Sequence, residues 1–175
     1  MVRIASYTLV DRIHDGAETC IYRAVRDADR LPVILKTPNV PYPSRRQLAR
    51  LQHEYAMLKK AGGRGAVLPI ELIQTADVVA LVTEDWGGQT LHSLIAAGAL
   101  GWREAATLGL HIADALAALH DQGILHKDLK PQAVAARCLR RGSGRGAVGR
   151  SGCGRFVRGA ARRRRCASRS RRGRP

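Results

Sequence analysis

Four charged side chains in two parts of the chain could together hold an anion and accept a proton. Asp128 and Lys130 lie two residues apart in the polar segment HKDLKP. Lys36 ends the apolar run VILK, and Glu54 follows it by 18 residues. A positioned carboxylate can take the proton of a hydroxyl group, and a lysine can neutralise an anion beside it. These residues are therefore candidates for a site that handles an anionic substrate.

Each candidate also has an ordinary explanation when it is taken alone. A single lysine in a strand is normally a solvated or edge residue, and a single glutamate on a helix is normally a solvated surface charge. Only the joint order and spacing of the candidates favour a functional site over these readings.

Hydrophobic periodicity predicts the elements that must position these residues. Three β-rich runs, at residues 7–14, 19–27 and 32–37, precede an amphipathic helix that begins at a Ser44 N-cap and stops at Gly62. One face of that helix carries Leu48, Leu51, Tyr55 and Leu58. Two more strands follow, then a turn and a short helix within 87–98, and a long helix at 102–122. Five strands with one inserted helix, and further helices after them, predict an α+β fold.

Charge and cysteine content divide the chain into two unlike parts. The formal net charge is +16, yet residues 133–175 hold 15 arginines and no acidic residue, so residues 1–132 are nearly neutral. Arg, Gly, Ala and Pro supply 31 of those last 43 residues. Such a segment buries too little apolar surface to offset its ordering entropy, so we predict a disordered tail. Its arginines would attract nucleic acid only non-specifically, because Phe156 is its sole aromatic side chain for base stacking.

The sequence predicts a cytoplasmic protein without a structural metal. No apolar run is long enough for a membrane span, and the N-terminus lacks the apolar core of a signal peptide. Cys20 is the only cysteine before the tail, which fits a reducing compartment. The tail cysteines are widely spaced and have no histidine near them, so we expect no zinc site.

Taken in order, the motifs resemble those of eukaryotic-like Ser/Thr protein kinases. HKDLKP is similar to the catalytic loop, VILK to the third-strand lysine motif, and LVTEDWGGQTL to the fifth strand and hinge. The resemblance covers residues 6–132 and is strongest to the kinase domains that open large bacterial multi-sensor signal-transduction kinases. It implies a small lobe and hinge at 1–86, built of a five-stranded antiparallel sheet plus one helix. Residues 87–132 would begin the large lobe, and 133–175 would be the tail.

The resemblance also implies a role for each candidate residue. Asp128 would be the catalytic base, and Lys130 would lie near the transferring phosphoryl group. His126 would be a packing residue of the core. The expected nucleotide is ATP, with Mg²⁺ as its metal. The residues expected to bind ATP are Lys36, Glu54, Gly16, Glu84 and Trp86. Glu54 would be the ion-pair partner of Lys36, and the backbone of Glu84 and Trp86 would bond the adenine edge. Thr83 would be the gatekeeper, and Gln89 would lie near the ribose.

Two departures from the family pattern weaken the expected binding and regulation. His14 and Thr19 occupy two of the three glycine positions of the phosphate-covering loop, so only Gly16 keeps the freedom of glycine there. Lys127 replaces the arginine of H-R-D and loses the planar fork that grips a phosphorylated activation loop.

The third departure concerns the metal. Ala133 stands where the family has the asparagine that ligates magnesium, and no aspartate of a D-F-G motif follows Asp128. Phosphoryl transfer depends mostly on positioning and charge neutralisation, so we expect this chain to be nearly inactive.

Two explanations of the missing metal ligands remain open at this stage. The chain could be a Ser/Thr kinase domain that is truncated or frameshifted near residues 132–133, with a protein substrate or downstream sensor domains as its partners. It could instead be a pseudokinase fragment that binds nucleotide or protein without turnover. A nucleic-acid role of the basic tail is the third and weakest hypothesis.

Overall fold

The computed structural model describes residues 3–75, 78–136 and 162–163. Its main sheet has six antiparallel strands in the order β1-β2-β3-β4-β6-β5. The strands of this sheet are β1 (Arg3–Ile4), β2 (Tyr7–Asp15), β3 (Thr19–Arg26), β4 (Pro32–Pro38), β5 (Pro69–Gln74) and β6 (Val79–Glu84). The helices are α1 (Arg45–Ala61), α2 (Leu91–Ala96) and α3 (Trp102–Asp121). Four two-residue strands complete the described elements: β7 (Gln89–Thr90), β8 (Ile124–Leu125), β9 (Ala135–Ala136) and β10 (Arg162–Arg163).

The predicted α+β fold with a five-stranded antiparallel sheet is confirmed, and one short strand is added to it. The addition, Arg3–Ile4, pairs with the start of β2 at the sheet edge. Alternation along β4 separates the two faces, because successive side chains of a strand point to opposite sides. Val33 and Leu35 enter the core cluster behind the sheet. Ile34 and Lys36 face the other way, toward a cavity.

Helix α1 begins and ends at the residues that the sequence predicted. The Ser44 side chain accepts a hydrogen bond from the Gln47 amide while the Gln47 side chain returns to the Ser44 backbone, which forms a capping box. Gly62 ends the helix in the left-handed conformation, and its amide donates to the carbonyl of Leu58. Leu51 and Leu58 are buried in the core, and Tyr55 packs partly buried against the same cluster. Leu48, the first residue of the predicted apolar stripe, is only partly buried.

Helix α3 packs closely against the loop that leaves α1. A Cβ atom placed on Gly65 would lie 2.1 Å from the carbonyl oxygen of Ala115, so only glycine allows this approach. Leu119 of α3 and Ile124 join the cluster that contains Leu58. These contacts fix α3 beneath the sheet. They also place the segment that follows α3 beside the cavity.

The ordered fold continues past the predicted boundary at residue 132. Ala133 and Val134 are buried, and Ala135–Ala136 pairs with Gln89–Thr90. Arg162–Arg163 pairs with Ile124–Leu125. The rest of the predicted disordered tail lies outside the described residues. Within the described residues, no helix is both long and apolar enough to cross a bilayer.

Tyr7 joins the sheet core to a carboxylate on β5 and gives the fold an alkaline limit. Tyr7 is 1% exposed, and its hydroxyl donates to Glu71 Oε1 at 2.6 Å. Burial, followed by the hydrogen bond and charge of Glu71, raises the pKa of Tyr7 to about 12. The unfolded chain loses this proton near pH 10, so the stability contributed by Tyr7 is complete below pH 10 and is lost as the pH rises to 12.

We therefore expect the stability advantage of the wild type over Tyr7→Phe to fall by about 2 kcal/mol between pH 10 and pH 12. Urea unfolding at a series of pH values measures this difference. Tyr42→Phe is the control, since Tyr42 is 91% exposed. An advantage over Tyr7→Phe that stays constant through this pH range would contradict the assignment.

Candidate active site

A cavity of about 780 Å³ lies between the front of the sheet, α1 and the segment that follows α3. Two transverse rows of side chains form its sheet wall. Strand pairing sets Ile34 between Arg23 and Thr83 in one row, and Lys36 between Ile21 and Leu81 in the other. Directly opposite residues of paired strands hold their Cβ atoms about 5 Å apart. Each row is therefore a continuous part of the wall.

Lys36 and Glu54 form an ion pair inside this cavity. The Nζ atom of Lys36 lies 2.7 Å from Glu54 Oε2 and 3.0 Å from Oε1. The glutamate side chain is 9% exposed and the lysine side chain 27%. Burial of a carboxylate is costly unless a cation pairs with it, and Lys36 supplies that partner. The pair orients the ammonium group. The chain between the two residues comprises the end of β4, the loop into α1 and the first half of α1.

The opposite wall carries the second pair of charged candidates. Lys130 Nζ lies 2.9 Å from Asp128 Oδ2, and both side chains are more than half exposed. The left-handed backbone of Lys127, at φ 56°, turns the chain between the buried His126 and Asp128. This turn presents Asp128 and Lys130 to the cavity, which both of them line.

The segment from Glu84 to Gly88 connects the sheet to α2 along one side of the cavity. The amide of Glu84 donates to the carbonyl of Leu68, and its carboxylate accepts from the Leu68 amide at 2.8 Å. Thr83 and Gly88 line the cavity at the two ends of this segment. Glu84 and Trp86 lie between them but are not lining residues.

The turn between β2 and β3 closes another side of the cavity and is held by hydrogen bonds from Asn39. Asn39 donates its side-chain amide to the carbonyl of Gly16 at 2.8 Å and its backbone amide to that of Glu18. His14 and Thr19 line the cavity, whereas Gly16 does not. The His14 ring covers Gly16, because a Cβ there would meet Nε2 at 2.6 Å. The space that glycine leaves open is filled by histidine.

Ala133 lies at the floor of the cavity beside the charged candidates. It is 6% exposed, and its amide donates to the carbonyl of Lys130 at 2.8 Å. Its methyl group offers no atom to a metal ion. Among the described residues, no group of three or more His, Cys, Asp or Glu side chains could hold a metal.

The structure thus brings together four of the seven predicted site residues, namely Lys36, Glu54, Asp128 and Lys130. Sequence reasoning missed Arg23 and Ile34, which also line the cavity. The signal that could have found them is strand periodicity, because they lie two residues from Ile21 and Lys36 on their respective strands.

Comparison with known proteins gives this geometry a context. A family model, described as the protein kinase domain, matches residues 7–136. A probable myosin light chain kinase of Dictyostelium discoideum is 30% identical over 129 residues, 73% of this chain and 40% of that protein. The serine/threonine-protein kinase fused of Drosophila melanogaster is 29% identical over 73% of this chain and 16% of its own length. The human serine/threonine-protein kinase H1 is 27% identical over 73% of this chain and 30% of its own length.

The chain therefore spans less than half the length of these relatives. The family match includes Ala133 and runs on to residue 136, which is also where the main described part of the fold ends.

Proposed function

Because the chain belongs to the protein kinase family, we propose that its cavity binds ATP as part of a Ser/Thr protein kinase domain. The observation that carries the proposal is the Lys36–Glu54 ion pair, held at 2.7 Å in a cavity that Asp128 also lines. A kinase needs a lysine oriented by a glutamate to hold the phosphates, and an aspartate to receive the substrate hydroxyl.

The chain's own residues can bind and orient the nucleotide. Glu54 accepts from the Lys36 ammonium group at both carboxylate oxygens and holds it in place. The backbone of Glu84 and Trp86 is the proposed partner of the adenine edge. At the other wall, Asp128 would accept the hydroxyl proton of a Ser or Thr substrate, and Lys130 would offset the charge of the transferring group. The acceptor would be a protein side chain.

The described residues do not fit the magnesium site of the family. Ala133 has no donor atom at the position of the metal-ligating asparagine, and no aspartate follows Asp128 in the sequence. We therefore propose that this chain binds ATP but transfers its γ-phosphate very slowly.

The second candidate function is a nucleotide-binding regulatory module without turnover. The specific observation in its favour is that the binding pair is intact while the metal position is a buried alanine. Both candidates share the ATP site and differ in catalysis, so only the rate of phosphate transfer bears on the choice between them.

The test is ATP binding by the 175-residue chain, measured by calorimetry with magnesium and again with a chelator. We expect saturable binding whose affinity changes less than about threefold when magnesium is removed, because the chain's own lysine and backbone hold the nucleotide. Absence of saturable ATP binding in both conditions contradicts the proposed function.

Phosphate transfer to a generic Ser/Thr protein substrate is measured in parallel. We expect a rate far below the roughly 1–100 s⁻¹ of active protein kinases. A rate within that range would show that the alanine does not disable the site, and it would exclude the regulatory module.

A further inference from the structure

An ion pair between Arg23 of β3 and Asp85 of the Glu84–Gly88 connection restrains the side of the cavity where the nucleotide base would lie. The Nε atom of Arg23 donates to Asp85 Oδ2 at 2.6 Å. Its Nη2 atom donates to the carbonyl of Gly88 at 3.4 Å. The arginine thus contacts the segment near its beginning and at its end.

Asp85 distributes this restraint through the segment. Its second oxygen, Oδ1, accepts the amide of Gly87 at 2.8 Å, which forms a local turn between an aspartate and the residue two positions on. Gly87 has φ 64°, a left-handed conformation that suits glycine. The amide of Asp85 itself donates to the carbonyl of Pro32, the first residue of β4. One carboxylate therefore joins the arginine to the bend of the connection.

Burial makes the arginine essential to this arrangement. The Asp85 side chain is 6% exposed, whereas that of Arg23 is 35% exposed and lines the cavity. A buried carboxylate that loses its cationic partner is destabilised unless it moves toward solvent. Such a movement would release the Gly87 amide and loosen the bend.

We propose that Arg23 is a positioning residue, which fixes the Glu84–Gly88 connection through Asp85 and so presents its backbone to the nucleotide base. The effect on the base rests on the proposed function, whereas the effect on the connection does not. Arg23 itself makes no phosphate contact in this proposal.

The first measurement is amide hydrogen exchange of the free protein by NMR. Arg23→Gln is expected to speed exchange of the Gly87 amide about tenfold, while the amides of β4 and β6 change little. Arg26→Gln is the matched control. Arg26 lies on the same strand and pairs with Asp29 at a similar 2.6 Å, but the Asp29 side chain is 49% exposed and neither residue lines the cavity. It should leave the Gly87 amide unchanged.

Arg23→Lys replaces Arg23→Gln in the exchange measurement if the glutamine variant does not fold. Lysine keeps the charge beside Asp85 but cannot reach two acceptors with a planar fork, so a smaller acceleration at Gly87 is expected. An unchanged Gly87 exchange rate in the folded variants overturns the proposal.

The second measurement compares the affinities of ATP and adenosine for the wild type and Arg23→Gln. If the arginine positions the base-binding backbone, both ligands should weaken by a similar factor, about tenfold, or about 1.4 kcal/mol. Weakening of ATP alone would mean that Arg23 contacts the phosphates, and it would overturn the positioning role. If the wild type binds neither ligand but Gly87 exchange responds as expected, the proposed function fails and the positioning of the connection is supported.

Discussion

Lys36→Met is expected to weaken ATP binding by about tenfold to hundredfold. A charge-assisted hydrogen bond contributes about 1.5–3 kcal/mol, and methionine cannot make one. Because Glu54 is 7% exposed, removing the lysine also leaves a buried carboxylate without its partner. The free energy of unfolding should therefore fall by about 1–3 kcal/mol, less than for a fully buried pair because the lysine is partly solvated.

The double variant Lys36→Met/Glu54→Gln separates the two effects. A neutral amide costs less to bury without a partner than a carboxylate, so the double variant should regain much of the lost stability. It should not regain ATP affinity, because the ammonium group is still missing. Calorimetry measures binding, and urea unfolding measures stability. ATP affinity within threefold of the wild type in a folded Lys36→Met variant would contradict the assigned role of Lys36.

Leu35→Ala is expected to lower the free energy of unfolding by about 2–5 kcal/mol. Leu35 is 0% exposed and lies in the cluster behind the sheet with Val33, Ala80 and Val82. The truncation removes apolar contacts with the two strands that flank β4, and it leaves a cavity that close-packed neighbours fill only in part. A loss of this size is a large share of the about 5–15 kcal/mol that stabilises a typical domain.

Leu110→Ala is the matched control, because Leu110 is 69% exposed on α3. It should change stability by less than about 0.5 kcal/mol. Urea unfolding should show a lower midpoint with an unchanged slope for Leu35→Ala alone. Midpoints that coincide for the two variants would contradict the packing assigned to β4. ATP affinity of the folded fraction should persist, since Leu35 points away from the cavity.

Local patterns in the sequence predicted the parts of the fold that short-range physics controls. The capping box at Ser44 and the glycine stop at Gly62 are contacts between neighbours in the chain, so residue types alone reveal them. The Lys36–Glu54 ion pair joins a strand to a helix 18 residues later, and only the resemblance to the kinase family, not a local pattern, implied it.

The packing of residues 133–136 could not be predicted in the same way. Residues 133–136 are small and apolar and belong by composition with the arginine-rich tail. Their order comes from tertiary contacts, since Val134 is buried beside Leu94 and Leu108 and Ala135–Ala136 pairs with a distant strand. Composition reports on a segment's average tendency and does not register a partner that lies elsewhere in the chain.

By itself, the sequence determined the family, the order of strands and helices, and the four charged residues that the cavity gathers. The order of elements follows from periods of 2 and 3.6 residues, which are properties of the local chain. The family and the four residues follow from the resemblance of the motifs to those of protein kinases. Only the tertiary structure decided that Arg23 reaches Asp85 and that Tyr7 reaches Glu71, 62 and 64 residues away. Strand pairing and side-chain rotamers set such contacts, and burial makes them strong, so they exist only once the sheet is assembled.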